Sequence, residues 1–134
     1  MSGVPANKSS ANNTVLVVDD NLMNLTLAYE LLTAEGYEVL RANNAEIAIQ
    51  ILETSKPFLI LMDIALPGKD GLTLTRELKS DPRTKEIFII AVTASAMKGD
   101  KEKIIRAGCD DYLSKPIDTR ALIKRVKEIM EKSV

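Results

Sequence analysis

Short apolar runs alternate along the chain with longer stretches whose apolar residues return every three or four positions. Thr14 to Val18 is rich in β-branched residues and ends at two acids, which predicts a buried strand. Leu22 to Ala34 places Leu25, Ala28 and Leu32 at helical spacing, with Gly36 as the stop. Tyr37 to Leu40 predicts a second strand. Ala45 to Thr54 predicts a helix carrying Ile47, Ala48, Ile51 and Leu52 on one face, broken by Pro57. Phe58 to Met62 is apolar at every position and predicts a strand covered on both sides. Pro67, Gly68, Asp70 and Gly71 make a turn cluster, and a third helix runs from Leu72 to Lys79, stopping near Pro82. Ile87 to Val92 predicts the fourth strand, and Lys98 to Ala107 the fourth helix, closed by Gly108. A short fifth strand over Asp111 to Leu113 precedes a last helix over Asp118 to Lys132, with Asp118 or Thr119 as its N-cap. Continuous apolar strands alternating with amphipathic helices imply a doubly wound α/β fold, a parallel sheet covered on both faces.

At 134 residues the chain has the length of one domain, and 46% hydrophobic residues suffice for a core. Lys and Arg number 18 against 19 Asp and Glu, so nothing in the bulk charge suits a nucleic acid. There is no His, which excludes His-based catalysis and His metal ligation, and the lone Cys109 excludes an internal disulfide. No apolar run approaches the roughly 20 residues of a membrane span, and Met1 to Asn13 is a Ser/Asn/Ala-rich stretch without the apolar heart of a signal peptide. We therefore expect a flexible segment over 1–13, a folded domain over 14–134, and a cytoplasmic location.

Ligands of doubly wound folds bind outside the carboxyl ends of the strands. There the sequence places Asp19 and Asp20 after the first strand, Asp63 after the third, Thr93 after the fourth and Lys115–Pro116 after the fifth. Three carboxylates in one cleft repel one another, and a hard cation served by oxygen ligands, most simply Mg²⁺, relieves that repulsion. Lys115 suits a phosphate oxygen, Thr93 supplies a hydroxyl, and a carboxylate can attack phosphorus to give an acyl phosphate. Singly each residue has an ordinary reading. Asp19 and Asp20 suit the cap of the helix beginning near Leu22, Lys115 a surface position, Tyr112 a half-buried strand aromatic. Together they point to a Mg²⁺-assisted phosphoryl acceptor with one Asp as nucleophile.

The segments VLVVDDN, LMDIALPGKDG, AVTASA and GCDDYLSKPI, with the spacing of Thr93 and Lys115 after Asp63, resemble the receiver domain of two-component response regulators. The resemblance covers essentially everything after the first 13 residues. It implies a flavodoxin-like five-stranded parallel sheet in the order 2-1-3-4-5 with five flanking helices. It implies Asp63 as the phosphorylated residue, Mg²⁺ held by Asp19, Asp20, Asp63 and the Ala65 backbone carbonyl, and Lys115 and Thr93 as contacts to the phosphoryl group. Tyr112 falls at the switch aromatic, and Lys115–Pro116 is expected to be cis. The implied donor is a phosphohistidine on a histidine kinase or a histidine phosphotransfer protein, docked near Leu22 and Met23. The implied output is a change in the face built by the fourth and fifth strands and helices, read by a downstream protein, from a monomer or weak dimer. Ala65 and Ser95 stand where the family tunes hydrolysis, and Ala65 suits slow to moderate loss of phosphate.

Too few residues follow the last helix for an output domain, so we expect a single-domain adaptor without DNA-binding output and without an enzymatic turnover of its own beyond acquiring and losing phosphate. The same phrases suit a receiver cut from a hybrid histidine kinase, and a phosphorylation-independent pseudo-receiver is a further alternative. A Mg²⁺-dependent phosphatase typically carries a second Asp two residues after its nucleophile, where this chain has Ala65. A flavodoxin needs a phosphate-cradling loop after the first strand, where Asp19 and Asp20 would repel a flavin phosphate. Cys109 reads as a small packing residue, and Lys98 through Lys103 as a solvated helix face.

Overall fold

The chain folds, in a computed structural model that describes residues 12–94 and 97–133, as strands and helices in strict alternation. In chain order these are β1 (Thr14–Val18), α1 (Leu22–Ala34), β2 (Glu38–Ala42), α2 (Ala45–Thr54), β3 (Leu59–Asp63), α3 (Gly71–Ser80), β4 (Phe88–Thr93), α4 (Lys98–Ala107), β5 (Asp111–Ser114) and α5 (Thr119–Ser133). The strands form one parallel sheet in the order β2-β1-β3-β4-β5. This is the doubly wound, flavodoxin-like α/β fold expected, with five helices flanking five strands among the described residues.

Strand side chains alternate between faces, so each central strand feeds two cores. Val15, Val17, Leu59, Leu61 and Ile90 pack with Leu25, Ala28 and Leu32 of α1 and Leu122, Val126 and Ile129 of α5. Leu16, Val18, Ile60, Met62, Ile89 and Ala91 pack with Ala45 and Ala48 of α2, Leu74 and Leu78 of α3 and Ile104 of α4. The unbroken apolar reading of β3 follows from this, since every residue of Leu59–Asp63 is buried. Truncating a fully buried residue such as Ile60 to Ala is expected to cost about 2–5 kcal/mol.

The element ends differ from the periodicity in a consistent way. β3 and β4 each sit one residue later than their apolar runs, ending at Asp63 and Thr93. Main-chain pairing carries them on: the Ile64 N–H donates to the Val92 carbonyl at 3.2 Å, and the Lys115 N–H to the Thr93 carbonyl at 2.7 Å. β2 likewise runs past Leu40 to Ala42, in register with Val18. The helix α5 is capped by Asp118, whose Oδ1 accepts the N–H groups of Arg120 and Ala121. Residues 1–11, in which most of the expected flexible segment falls, lie outside the described residues, as does Ser95. Asn12 and Asn13 are tied to the start of the sheet, the Asn12 amide donating to the Lys56 carbonyl and the Asn13 amide to the Gly36 carbonyl. No helix among the described residues is long and apolar enough to cross a membrane.

Candidate functional site

Register brings the acids together. Val18 pairs with Met62, so the next residues, Asp19 and Asp63, leave neighbouring strands side by side. Asp20 follows one residue on, and carboxylate oxygens of all three lie within 4.8 Å of one another. Asp63 is 2% exposed and Asp19 4% exposed, whereas Asp20 stands open to solvent. Lys115, delivered by the end of β5, reaches across with its Nζ 3.2 Å from Asp63 Oδ2 and 3.7 Å from Asp19 Oδ2. Thr93 is buried at the end of β4, and the Lys115–Pro116 peptide is cis.

The capping role open to Asp19 and Asp20 falls to neither. Asn21 caps α1, its side chain accepting the Asn24 N–H at 3.0 Å, and no acid stands in the first turn. Both buried carboxylates are instead aimed by the main chain two residues on: Asp19 Oδ1 accepts the Asn21 N–H and Asp63 Oδ1 the Ala65 N–H, each at 2.9 Å. One oxygen of each is thereby held, and the other turns toward Lys115. Burial pushes the Asp19 carboxyl above the ordinary carboxylate range, and the charge of Asp63 adds to the rise, against the Asn21 N–H and Lys115.

One ammonium facing three carboxylates leaves the cleft with surplus negative charge. The donor set is all oxygen, partly buried and open on the Asp20 side, which fits a small hard cation such as Mg²⁺. The residues present can hold a divalent ion, and with Lys115 they can accept a phosphate-sized dianion beside Asp63.

Tyr112, in β5 three residues before Lys115, is half-buried against the core beside α4. Lys101 of α4 stands with its Nζ 5.4 Å from the centre of the Tyr112 ring, so Lys101 is half-buried and engaged rather than part of a fully solvated face. Leu22 and Met23 open α1 beside the cleft at 74% and 80% exposure. A mostly apolar groove of about 140 Å³ runs between Asn24, Leu27, Ala28 and Leu31 of α1 and the Lys115–Ile117 turn. Sequence reasoning placed Gly71 in a turn and missed its contact with Asp63; the backbone proximity that reveals it leaves no periodic trace.

Comparison with known proteins agrees with this geometry. The response regulator receiver domain family matches residues 15–127. The polar-differentiation response regulator DivK of Brucella anthropi is 44% identical over 117 residues, covering 87% of this chain and 95% of its own. Among solved structures, the receiver domain of a sensor histidine kinase from Pseudomonas aeruginosa, which has a magnesium ion coordinated in its active-site cleft, is 34% identical with a TM-score of 0.82, covering 90% of this chain and 99% of that one. A CheY-like receiver domain protein from Methanospirillum hungatei is 30% identical with a TM-score of 0.82, covering 90% and 94%. The sheet order, the acid cluster at its carboxyl edge and the family match thus converge: the chain belongs to the response regulator receiver domain family of two-component signalling.

Proposed function

We propose that this chain is a cytoplasmic phosphorelay receiver that takes a phosphoryl group from a partner phosphohistidine onto Asp63. The observation that carries the reading is a buried Asp63 paired to Lys115 at 3.2 Å inside a cluster of three carboxylates. Asp19, Asp20, Asp63 and the Ala65 carbonyl would hold Mg²⁺, which when bound would neutralise charge on the phosphoryl oxygens. An Asp63 oxygen attacks phosphorus, the P–N bond to the donor histidine breaks, and its electron pair stays on the imidazole, which takes a proton from water. The Ala65 N–H keeps the Asp63 carboxylate oriented for that attack. Lys115 follows the charge as it moves onto the transferred group.

The acyl phosphate brings up to about two negative charges to the end of β3. Thr93 turns its hydroxyl toward them, Tyr112 moves in behind it, and the β4-α4-β5-α5 face changes shape for a downstream protein. The exposed Leu22 and Met23, with the apolar groove beside Lys115, support docking of a histidine kinase or histidine phosphotransfer protein against α1. Ala65, exposed and without a side chain able to hold water, supports slow hydrolysis, and Ala65→Asn is expected to shorten the phosphate's lifetime.

The test is intact mass after incubation with acetyl phosphate and Mg²⁺. Wild type is expected to gain one labile phosphoryl group; Asp63→Asn, and wild type with a chelator, are expected to gain none. A wild type that takes no phosphate from acetyl phosphate or from a phosphorylated kinase would overturn the reading.

A further inference from the structure

The first residue of α3 sits hard against the main chain of the acceptor. A β-carbon at Gly71 would lie 2.4 Å from the Asp63 carbonyl oxygen, 2.7 Å from Ile64 Cα and 3.0 Å from the Asp63 carbonyl carbon. These are backbone atoms, with no rotamer to swing aside. Gly71 does not have a positive φ, unlike Gly36, Gly68 and Gly108, so turn conformation does not call for glycine here. Close approach does. One hydrogen bond crosses the contact: the Gly71 N–H donates to the Ile64 carbonyl at 3.3 Å. Within α3 the Gly71 carbonyl accepts from the fully buried Thr75 hydroxyl at 2.8 Å. Asp70 caps the same turn through the Thr73 N–H at 2.8 Å.

We propose that Gly71 is a positioning residue for the acceptor: its missing side chain lets α3 seat on the Asp63 main chain, which sets where the Asp63 carboxylate and the Ala65 backbone stand. The inference rests on the reading of Asp63 as phosphoryl acceptor. A side chain at Gly71 pushes on Asp63 and Ile64 directly, and the Ala65 N–H that aims Asp63 Oδ1 moves with them. Displacement of ångström order at a reacting group costs up to about a hundredfold in rate.

Gly71→Ala is compared with wild type by the Ala65 amide resonance in metal-free protein, by Mg²⁺ affinity from calorimetry, and by the initial rate of phosphoryl gain from acetyl phosphate. The Ala65 amide is expected to shift, Mg²⁺ to bind more weakly, and the rate at saturating Mg²⁺ to fall by about tenfold or more. Gly99→Ala, where nothing lies within 4 Å of the added carbon, is expected to match wild type. A second pair separates positioning from lost stability. Asp70→Ala loosens the first turn of α3 and is expected to slow the reaction; Asn44→Ala removes the cap of α2, which holds the Ile47 N–H at 2.8 Å, and is expected not to. If Gly71→Ala fails to fold, this pair decides, and equal rates overturn the proposal. An unmoved Ala65 amide with wild-type Mg²⁺ affinity in folded Gly71→Ala overturns it too. A wild type that gains no phosphate tells against the acceptor reading instead, and the Ala65 amide still reports the packing.

Discussion

The two ends of the sheet each carry a lysine against an aspartate, and they are built to opposite purposes. At the amino end, Lys79 of α3 donates from Nζ to Asp110 Oδ2 at 2.8 Å, to the Ile87 carbonyl at 2.8 Å and to the Lys85 carbonyl at 3.3 Å. Asp110 Oδ2 also accepts the Ile89 N–H at 2.9 Å. Charge and hydrogen bonds close on themselves there, clipping α3 to the starts of β4 and β5. At the carboxyl end, Lys115 stands at 3.2 and 3.7 Å from two buried carboxylates with a third alongside. Charge is left over there, and leftover charge in a half-buried cleft is a demand for a ligand. The same residue pair thus serves as a structural clip or as binding chemistry according to whether its surroundings balance it.

Substitutions of the two lysines should break that comparison most visibly. Lys115→Met is expected to slow phosphoryl gain by about a hundredfold or more, since a preorganised charge at the transferring group is lost. It also leaves Asp19 and Asp63 facing each other uncompensated, so its stability in urea is expected to recover when Mg²⁺ is added. Lys79→Met is expected to lower stability by about 2 kcal/mol, because a half-buried carboxylate and two carbonyls lose their donor. Mg²⁺ is expected to stabilise Lys79→Met only as much as it stabilises wild type, so the difference persists, and phosphoryl gain should keep its wild-type rate. Equal Mg²⁺ rescue of both variants would erase the distinction.

Acidity sharpens the contrast by a smaller amount. The Asp19 carboxyl is raised in the folded protein, chiefly by burial. It therefore binds its proton more tightly folded than unfolded, and its contribution to metal-free stability is full below the unfolded value and lost as pH rises through the folded one. A Mg²⁺ ion held by Asp19 would need the same group deprotonated. The stabilisation by Mg²⁺, about 2.7 kcal/mol at a hundred times its dissociation constant, is expected to fade as pH falls through the Asp19 range. Scanning calorimetry with and without Mg²⁺ across the acid range checks the sign; a pH-independent Mg²⁺ shift would remove Asp19 from the site.

The smallest effect lies back near the clip. Cys109 is buried beside Thr75, its Sγ 3.9 Å from the hydroxyl, and burial pushes its thiol above the ordinary range. Iodoacetamide is expected to modify it only on unfolding, and Cys109→Ala to cost about 1 kcal/mol with phosphoryl gain unaltered. Rapid modification of the folded chain would show that this end opens more readily than its hydrogen bonds suggest.

Much of this was legible in the residues. The helices over 22–34, 45–54 and 98–107 carry the bounds that their apolar spacing predicts, because amphipathic periodicity and caps are local. The family's motifs were legible as well, and with them the candidate acids, Lys115 and the cis Lys115–Pro116 peptide. Asn21 was readable as a cap, being an Asn one residue before a helical run, and it releases Asp19 and Asp20 from that duty. Lys101 was not, since its exposure depends on where α4 lies against β5. Nor was the Lys79–Asp110 clip, whose partners lie far apart in the chain.

Local chemistry determined which segments become strand or helix and which residues cap the helices, because propensity, periodicity and capping act within a few neighbours. Tertiary structure decided what no neighbour could: that Asp63 belongs to its strand through pairing with β4, that Lys115 crosses to Asp63 and Asp19 while Lys79 closes on Asp110, and that Gly71 must have no side chain. These depend on register and on ångström-scale approach between segments distant in the chain, and those distances exist only once the sheet has formed.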